Sequence, residues 1–448
     1  MAREVDVADI IAAQTFGPFQ LRIVLLCGMV QFLDGFDTQA LAYAGPALRA
    51  AWNLTPAQLG PVFALGALGT GLGSIVLGFL ADIFGRKRVM IAAVAIFGIL
   101  TLGTAFLTSV DQLRIWRLLT GFGLGAALPL TFVIANEFAP ARIRARMVAS
   151  MACGFAVGAL SGGLLEAALL PYLGWQAIFY VGGVVPLILA AVLIFLLPES
   201  VRFLAAKGGR DAEIARILRK LDPTLDFPAG TQFTVPAEKT YPGLRPLQLF
   251  AQGRVLTTIL LWFTFLMTLG MLNTLNNWLP VAINMAGLPQ QRSILLTTLF
   301  QLGGIAGVLS LGVLADRVGY HRVLVIAYGL LFVAIAAIGS VGAAAMAIAL
   351  AVAATGFFLV GANNTLNAFA TTLYPTAIRS TGVSWASSFG RLGGSLGPYF
   401  GGLLLGAVPL QTTFLIFAVP ALLGSLLVFA MLKAKQTPPP SIAAQIRA

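Results

Sequence analysis

Long segments without Asp, Glu, Lys or Arg run through this sequence of 448 residues, and they limit the kinds of fold that the chain can adopt. They include 50–81, 89–110, 118–136, 167–198, 255–291, 293–315 and 323–378. The hydrocarbon core of a bilayer takes about 20 helical residues, so each segment is long enough for one crossing and the last has room for two. Transmembrane strands would need alternating apolar and polar residues, whereas both faces are apolar here. The sequence therefore predicts membrane-spanning helices.

The composition excludes other classes of protein. Hydrophobic residues make up 58% of the chain and charged residues only 10%, whereas an ordinary soluble domain has about 25% charged residues. So few charges cannot cover the surface of a soluble chain of this length, and so many apolar residues exclude disorder. The predicted fold class is an all-α polytopic membrane protein with twelve transmembrane helices.

The formal net charge of +12 reflects topology rather than a nucleic-acid partner. When twelve spans are placed, only Arg49, Arg114 and Arg292 fall on one side of the membrane, and Arg117 and Arg391 lie within spans. The other Lys and Arg residues fall on the opposite side, which the positive-inside rule assigns to the cytoplasm. We therefore expect a multi-pass protein of the cytoplasmic (inner) membrane with both termini in the cytoplasm.

The spans form two groups of six, separated by a charged stretch that is rich in Pro and Gly and contains a candidate amphipathic helix at 211–221. The predicted organisation is a cytoplasmic N-terminus at 1–19, a six-helix half at 20–198, a cytoplasmic linker at 199–254, a second six-helix half at 255–432 and a cytoplasmic tail at 433–448.

The two halves are repeats of each other. Residues 78–88 recur at 312–322 with an offset of 234, and the Pro-x-x-Ile-Arg run at 140–144 recurs at 375–379 with an offset of 235. Parallel repeats with a substrate site between them, near the middle of the membrane, are an architecture of secondary transporters. The sequence thus predicts two pseudo-symmetric six-helix halves that share an aqueous cavity.

Two carboxylates in the first span, Asp34 and Asp37, are the sharpest functional signal. A spacing of three residues places both on one face of a helix. Burial and mutual repulsion each disfavour the charged form, so the pair is expected to hold a proton near neutral pH and to titrate as a unit. Ionisable groups inside a membrane are functional by default, which predicts a role in proton coupling. The alternative is a structural role at a wet end of the span.

Arg391 is an isolated cation in the eleventh span, and its counterpart in the first repeat is Ala156. The repeat therefore does not require a charge at this position. Because a guanidinium offers a planar fork that matches a carboxylate, we expect Arg391 to bind the carboxylate of the substrate or to neutralise an aspartate. A structural contact with a helix C-terminus is the alternative.

Amides and tryptophans in the seventh, tenth and eleventh spans are candidates for contacts with a ring. Unpaired amides in lipid are costly, so these side chains should face the cavity or a neighbouring helix. Amides can bind ring hydroxyls and a tryptophan can stack on a ring, while packing between helices is the alternative. The candidate substrate-binding residues are Asn276, Asn277, Trp278, Asn363, Asn364 and Trp385. Glu166, near the end of the fifth span, is expected to be structural.

Several motifs resemble the major facilitator superfamily over nearly the whole chain. They are Gly-x-Leu-Ala-Asp-x-x-Gly-Arg-Lys-Arg at 78–88, Arg-x-x-Thr-Gly-x-Gly-x-Gly at 117–125 and Leu-Pro-Glu-Ser at 197–200. Further motifs resemble the aromatic acid/proton symporters within it, namely Asp-Gly-Phe-Asp at 34–37, Trp-Leu-Pro at 278–280 and Tyr-Pro…Arg-x-Thr-Gly-Val-Ser-Trp at 374–385. The resemblance implies the major facilitator fold.

The resemblance also implies roles for particular residues. Both aspartates of the first span are needed for transport in the family, and Arg117 is the arginine linked to proton coupling. In the superfamily the aspartate and the neighbouring basic residues of the 78–88 loop latch the cytoplasmic side closed. The residues assigned to gating on this basis are Gly78, Asp82, Gly85, Arg86, Arg144, Asp316 and Arg379. Glu137, expected near Arg142, Arg144 and Arg146, has either a gating or a structural role.

The predicted function is import of a small aromatic carboxylate with protons by alternating access. The proton gradient is the energy source, and no ATP, cofactor, metal or enzymatic activity is implied. A sugar or polyol symporter explains the Leu-Pro-Glu-Ser motif but not the carboxylate pair, and a drug:proton antiporter also fits the superfamily. A membrane sensor or membrane enzyme is a more distant alternative. The expected partners are the aromatic carboxylate, protons and the lipid bilayer, and nothing requires more than a monomer.

Overall fold

A computed structural model describes residues 4–433 apart from 141, 226, 229–230, 235–247, 252, 343 and 376–377. By their contacts these residues divide into two compact units. Unit 1 comprises the described residues up to Trp52 and those of Leu65–Lys239, and unit 2 comprises Asn53–Ala64 and the described residues from 240 onward. The second helix of the first half therefore contributes residues to both units.

The elements of the first half begin with a short strand and a short helix, followed by the long apolar helices. In chain order they are β1 Glu4–Asp6, α1 Val7–Ala13, α2 Pro18–Trp52, α3 Pro56–Phe84, α4 Arg86–Thr104, α5 Val110–Leu124, α6 Ala127–Phe138, α7 Arg144–Leu173, α8 Ala177–Leu196, α9 Val201–Lys207, α10 Asp211–Leu221 and β2 Gln232–Thr234. The elements of the second half are α11 Val255–Met285, α12 Gln290–Val318, α13 Tyr320–Ser340, α14 Ala345–Leu373, α15 Arg379–Ala407 and α16 Leu410–Lys433.

Within the described residues, eleven helical segments are long and apolar enough to cross a membrane. One of them is Val110–Phe138, in which α5 and α6 follow each other across a short turn at 125–126. The helix α15 is 29 residues long but carries more glycine and serine than the others. Counted together, these segments give the twelve long helices of the predicted all-α membrane fold.

The turn inside the predicted fourth span lies four residues before Pro129, which has no N–H to donate to the Gly125 carbonyl. The sequence predicts one helix at 112–136, whereas the structure divides it into α5 and α6. At Gly125, a side chain would clash with the backbone of α3 at Thr70 and Ser74. The backbone N–H of Gly125 still donates to the Gly121 carbonyl at 2.9 Å, so the interruption is local.

A small cap of α1, α9, α10 and the two strands belongs to unit 1, and the sequence predicted only one part of it. The helix α10 occupies the predicted residues. The two strands pair in parallel, with Val5 opposite Phe233. Val7 and Ile11 of α1 are buried in the same apolar cluster as Ile214. The N-terminal segment is therefore folded against the linker, because this contact buries the apolar face of α10. The predicted tail beyond Lys433 lies outside the described residues.

The internal repeat is visible in the helix contacts at the same offsets as in the sequence. In unit 1 a side chain at Gly158 of α7 would clash with the Phe32 carbonyl of α2. In unit 2 a side chain at Gly393 of α15 would clash with the Leu266 carbonyl of α11. These contacts are related by 234 residues in one helix and 235 in the other. Small residues thus let equivalent helix pairs approach closely in both units, as membrane helices require.

Candidate functional site

The carboxylates of Asp34 and Asp37 lie near the middle of α2 and are buried. Asp34 is 6% exposed and Asp37 is fully buried. They lie on α2 because its apolar neighbours, among them Leu33 and Phe36, form a continuous helix whose residues pack inside unit 1. A charged carboxylate buried in this way needs partners, so its stability depends on the groups supplied by other helices.

Asp37 has two such partners. The Thr101 hydroxyl of α4 donates to one carboxylate oxygen of Asp37 at 2.5 Å. Arg117 of α5 places Nη1 at 3.5 Å from the other oxygen, and this guanidinium is itself only 6% exposed. The predicted proton-coupling residues Asp37 and Arg117 are therefore brought together in unit 1. The distance allows one hydrogen bond at most.

Asp34 is held more loosely than Asp37. Its carboxylate accepts a hydrogen bond from the Thr38 hydroxyl at 3.4 Å, one turn further along α2. The structure thus places one carboxylate in an ion pair and the other in an apolar setting with a weak partner. The two carboxylates therefore lie in different polar environments, although they are three residues apart on one helix.

A further polar contact in unit 1 was not predicted from the sequence. The Gln31 amide of α2 donates to the Thr131 hydroxyl of α6 at 2.5 Å. Gln31 lies one turn before Asp34 and is fully buried. It fixes α2 against α6 beside the carboxylates. A buried glutamine in an apolar span was the signal that could have indicated this contact.

Glu166 of α7 is fully buried, and neither of its carboxylate oxygens has a hydrogen-bond partner among the described residues. It follows Gly158 and Gly162 at intervals of four residues, which places it on the face of α7 that packs against α2. An ionised carboxylate without a partner would be costly there. The neutral form suits the structural role expected for this residue.

Three residues predicted for gating meet in a network at the start of α4. Gly85 has φ 102°, and a side chain there would clash with the Glu199 carboxylate. Arg86 forms an ion pair with Glu137 and donates from Nη1 to the Ser200 hydroxyl at 2.9 Å. The network therefore joins the 78–88 loop to the end of α6.

Glu199 and Ser200, from the Leu-Pro-Glu-Ser motif, complete this network. The backbone N–H of Lys87 donates to the Glu199 carboxylate at 3.0 Å. In the sequence this motif was a sign of the family, but it did not predict Glu199 or Ser200 as site residues. The sequence predicted Glu137 near Arg142, Arg144 and Arg146, and in the structure Glu137 forms an ion pair with Arg86. The side chains of Arg144 and Arg146 lie outside the described residues.

The remaining residues predicted for gating are less enclosed. Gly78 is half-buried and Asp82 is exposed. In unit 2, Asp316 is exposed and accepts a hydrogen bond from the Tyr320 hydroxyl at 2.9 Å, and Arg379 at the start of α15 is also exposed. Tyr320 replaces the arginine of the first copy, so the two loops have different partners.

The candidate amides of unit 2 differ in whether they contact another helix. Asn277 donates to the Asn273 carbonyl of its own helix at 2.8 Å, and the side-chain oxygen of Asn363 has no hydrogen-bond partner among the described residues. Asn364 is exposed. Asn276 instead contacts another helix, because the Gln301 amide of α12 donates to its carbonyl oxygen at 3.2 Å. Gln301 was not among the predicted site residues.

The two candidate tryptophans of unit 2 have different surroundings. Trp278 is fully buried, donates from its indole nitrogen to the Pro398 carbonyl at 2.8 Å and packs edge-on against Phe63 with ring centroids 5.2 Å apart. In this arrangement its ring offers no accessible face to a substrate. Trp385 is partly exposed and stacks on Trp262 at 5.9 Å. Of the two, Trp385 has the more accessible ring.

Arg391 lies on α15 in unit 2 and is exposed, whereas Asp34, Asp37 and Arg117 lie in unit 1. Within the described residues no group of three His, Cys, Asp or Glu side chains is suited to hold a metal ion. The candidate residues supply two buried carboxylates, two guanidinium groups, amides and indole rings.

The chain is similar to known membrane transporters in sequence and in fold. A sequence profile of the Major Facilitator Superfamily matches residues 27–394 and 287–447. A gallate transporter of Pseudomonas putida is 37% identical and is covered over 98% of both chains. The 4-hydroxybenzoate transporter PcaK of the same organism is 37% identical over 91% of each chain. The partially occluded inward-open structure of the xylose transporter XylE from E. coli has a TM-score of 0.74 over 95% of this chain and 100% of that one, at 17% identity, which shows the fold alone.

Proposed function

Because the chain belongs to the Major Facilitator Superfamily, we propose that this multi-pass membrane transporter imports a small aromatic carboxylate together with protons. The observation that carries the substrate class is the 37% identity, over 98% of the chain, to a gallate transporter. Relatives that transport 4-hydroxybenzoate have the same identity. All of these substrates are aromatic rings with a carboxylate and at least one hydroxyl.

The proton step of the proposal uses the ion pair of unit 1. When Asp37 is ionised, Arg117 compensates its charge at 3.5 Å and Thr101 donates to it. When a proton binds Asp37, the attraction to Arg117 is lost and the guanidinium becomes available for another anion. Protonation and deprotonation thus switch the partner of Arg117, and a carrier can couple this switch to its conformation.

Substrate recognition in this proposal involves unit 2. Arg391 binds the carboxylate through its planar fork, and the amides of Asn276 and Asn277 bind ring hydroxyls. Trp385 is the ring available for stacking, while Trp278 supports the helix packing. Asn363 and Asn364 stand on α14 as further hydrogen-bonding groups.

The network of Arg86, Glu137, Glu199 and Ser200 serves as a latch in the proposed cycle. Charge-assisted hydrogen bonds contribute about 1.5–3 kcal/mol each. Such a latch can bias a two-state equilibrium substantially, because about 5.5 kcal/mol moves it from 1:99 to 99:1. It sets the rate of the conformational change rather than the choice of substrate.

The energy source that we propose is the proton gradient across the inner membrane, without ATP. An anion that enters with one proton is electrically neutral and follows the pH gradient alone. With two protons it also gains from the membrane potential, by about 2.3 kcal/mol per charge at 100 mV. The distribution of Lys and Arg supports a topology with both termini in the cytoplasm.

Uptake into proteoliposomes tests the proposal. Purified protein is reconstituted, a pH gradient that is acidic outside is imposed, and uptake of radiolabelled 4-hydroxybenzoate, gallate, xylose and a cationic dye is compared. We expect gradient-dependent accumulation of the two aromatic acids only. Accumulation of xylose or export of the dye, with no uptake of either aromatic acid, would refute the proposed substrate class.

A further inference from the structure

A pair of amides bridges two helices of unit 2. The Gln301 side chain of α12 is 7% exposed and donates from Nε2 to the Oδ1 of Asn276 in α11 at 3.2 Å. Asn276 is half-buried. Two groups take no part in this contact: the amide nitrogen of Asn276, which is a donor, and the amide oxygen of Gln301, which is an acceptor.

A phenolic hydroxyl needs such a combination. Its oxygen accepts a hydrogen bond and its hydrogen is donated, so one hydroxyl can engage an amide nitrogen and an amide oxygen together. A bare ring carbon can engage neither. An amide pair held in a fixed orientation therefore distinguishes a hydroxylated ring from an unsubstituted one, because the unsubstituted ring offers no partner to the Asn276 nitrogen or to the Gln301 oxygen.

The internal repeat shows that helix packing does not require these amides. The offset of 234 relates Asn276 to Ala42 and Gln301 to Ala67. Unit 1 thus builds the equivalent helix positions with two alanines. In unit 2 the same positions carry polar groups that are costly to bury unless they are bonded.

Asp37 and Arg117, to which we assign the proton step, also have apolar counterparts in the other repeat. Asp37 corresponds to Met271, and Arg117 corresponds to Val352, at offsets of 234 and 235. The ionic pair is therefore specific to unit 1, as the amide pair is to unit 2. Polar groups added where the repeat has apolar ones mark positions that serve function rather than packing.

We propose that Asn276 and Gln301 together form a hydroxyl-binding site, which selects hydroxylated aromatic carboxylates over unsubstituted ones. The inference rests on the proposed function and adds to it the class of ring that is selected. Asn276 donates to the oxygen of the ring hydroxyl, and the Gln301 oxygen accepts its hydrogen. Gln301 also acts as a positioning residue, since its bond to Oδ1 fixes the orientation of the Asn276 amide.

Transport of 4-hydroxybenzoate and benzoate by the full-length protein in proteoliposomes tests the inference. The measured quantity is the ratio of the KM values for the two acids. We expect the wild type to prefer 4-hydroxybenzoate and Gln301→Leu to reduce this preference by about tenfold or more. The KM for benzoate should stay within about twofold, because benzoate makes no bond that the variant removes. Gln301→Met is a second variant of similar length, and Asn276→Leu should have the same effect.

Asn284→Leu is the matched control. Asn284 is an amide on the same helix, but it donates to the Leu288 carbonyl at 3.0 Å and closes the end of α11. The preference should be unchanged in this variant. The inference is overturned if the wild type does not distinguish the two acids, or if Gln301→Leu raises both KM values in parallel. If the wild type transports neither acid, the proposed function itself fails.

Discussion

Replacement of Asp37 by asparagine should lower the free energy of unfolding and abolish transport driven by a pH gradient. A second substitution, at Arg117, should restore the stability but not the transport. The substitution removes the charge that faces Arg117 at 3.5 Å, and it leaves a guanidinium that is only 6% exposed. With an effective dielectric constant of 20, the direct attraction across this distance is about 5 kcal/mol. Removing one partner of a buried ion pair typically costs about 3–5 kcal/mol, because the other charge stays buried without compensation.

The loss can be measured as the free energy of unfolding in detergent micelles by denaturant titration. We expect Asp37→Asn to lower it by about 3 kcal/mol or more. Since Arg117 Nε already has no hydrogen-bond partner among the described residues, the guanidinium has little other support. Asp37→Asn combined with Arg117→Gln should recover most of the stability, because neither charge is then left alone.

Transport should not recover with stability. Both Asp37→Asn and the double variant should lose accumulation driven by a pH gradient, since neither can exchange a proton at this position. Asp111→Asn is the matched control. Its carboxylate pairs with Arg114 at 2.7 Å but is 78% exposed, so the loss of stability should be below about 1 kcal/mol. Equal stabilities of Asp37→Asn and the wild type, or a double variant that loses the sum of the two single effects, would refute the assignment of a buried ion pair.

Three further substitutions test other parts of the account. Arg391→Lys keeps the charge but loses the planar fork, so the KM for 4-hydroxybenzoate should rise roughly tenfold. The protein should remain as stable as the wild type. An unchanged KM would exclude bidentate binding. Gly158→Ala should lower the yield of folded protein and destabilise it by about 1–3 kcal/mol, because the new methyl group would clash with the Phe32 carbonyl. Gly329 has open space where an added methyl group would lie, so Gly329→Ala should be neutral. Glu166→Gln replaces a carboxyl that has no hydrogen-bond partner among the described residues, so pH-gradient-driven uptake should stay within about twofold of the wild type; a complete loss of uptake would show that the carboxyl itself takes part in the cycle.

Much of the fold follows from the sequence because the membrane restricts the choices. Uncharged segments of sufficient length must form helices in lipid, where backbone groups have no water to bond. The repeat at offsets of 234 and 235 predicts equivalent helix contacts, and Gly158 and Gly393 make them. The turn at 125–126 was missed, although Pro129 is visible in the sequence and cannot donate a hydrogen bond to the Gly125 carbonyl. The strand pair of the cap was missed as well, since three-residue strands carry too short a pattern.

The candidate site was predictable only in part, for a related reason. A charge inside an apolar span is visible in the sequence, and this applies to Asp37, Arg117 and Arg391. Its partners are not visible when they are common residues, as Thr101 and Gln301 are. For Trp278 the sequence left substrate stacking and helix packing open, and in the structure its side chain is buried. Partners depend on the register between helices, which no single span determines.

The most direct measurement of the central claim is the entry of protons that accompanies substrate. Proteoliposomes are loaded with a pH-sensitive dye, 4-hydroxybenzoate is added outside, and luminal acidification is recorded alongside radiolabelled uptake, with protein-free vesicles as the baseline. The account predicts that the wild type takes up 4-hydroxybenzoate and acidifies the lumen in proportion. For Asp37→Asn it predicts that uptake and acidification both stay at the baseline. Uptake by the wild type without acidification, or unchanged acidification in Asp37→Asn, would contradict it.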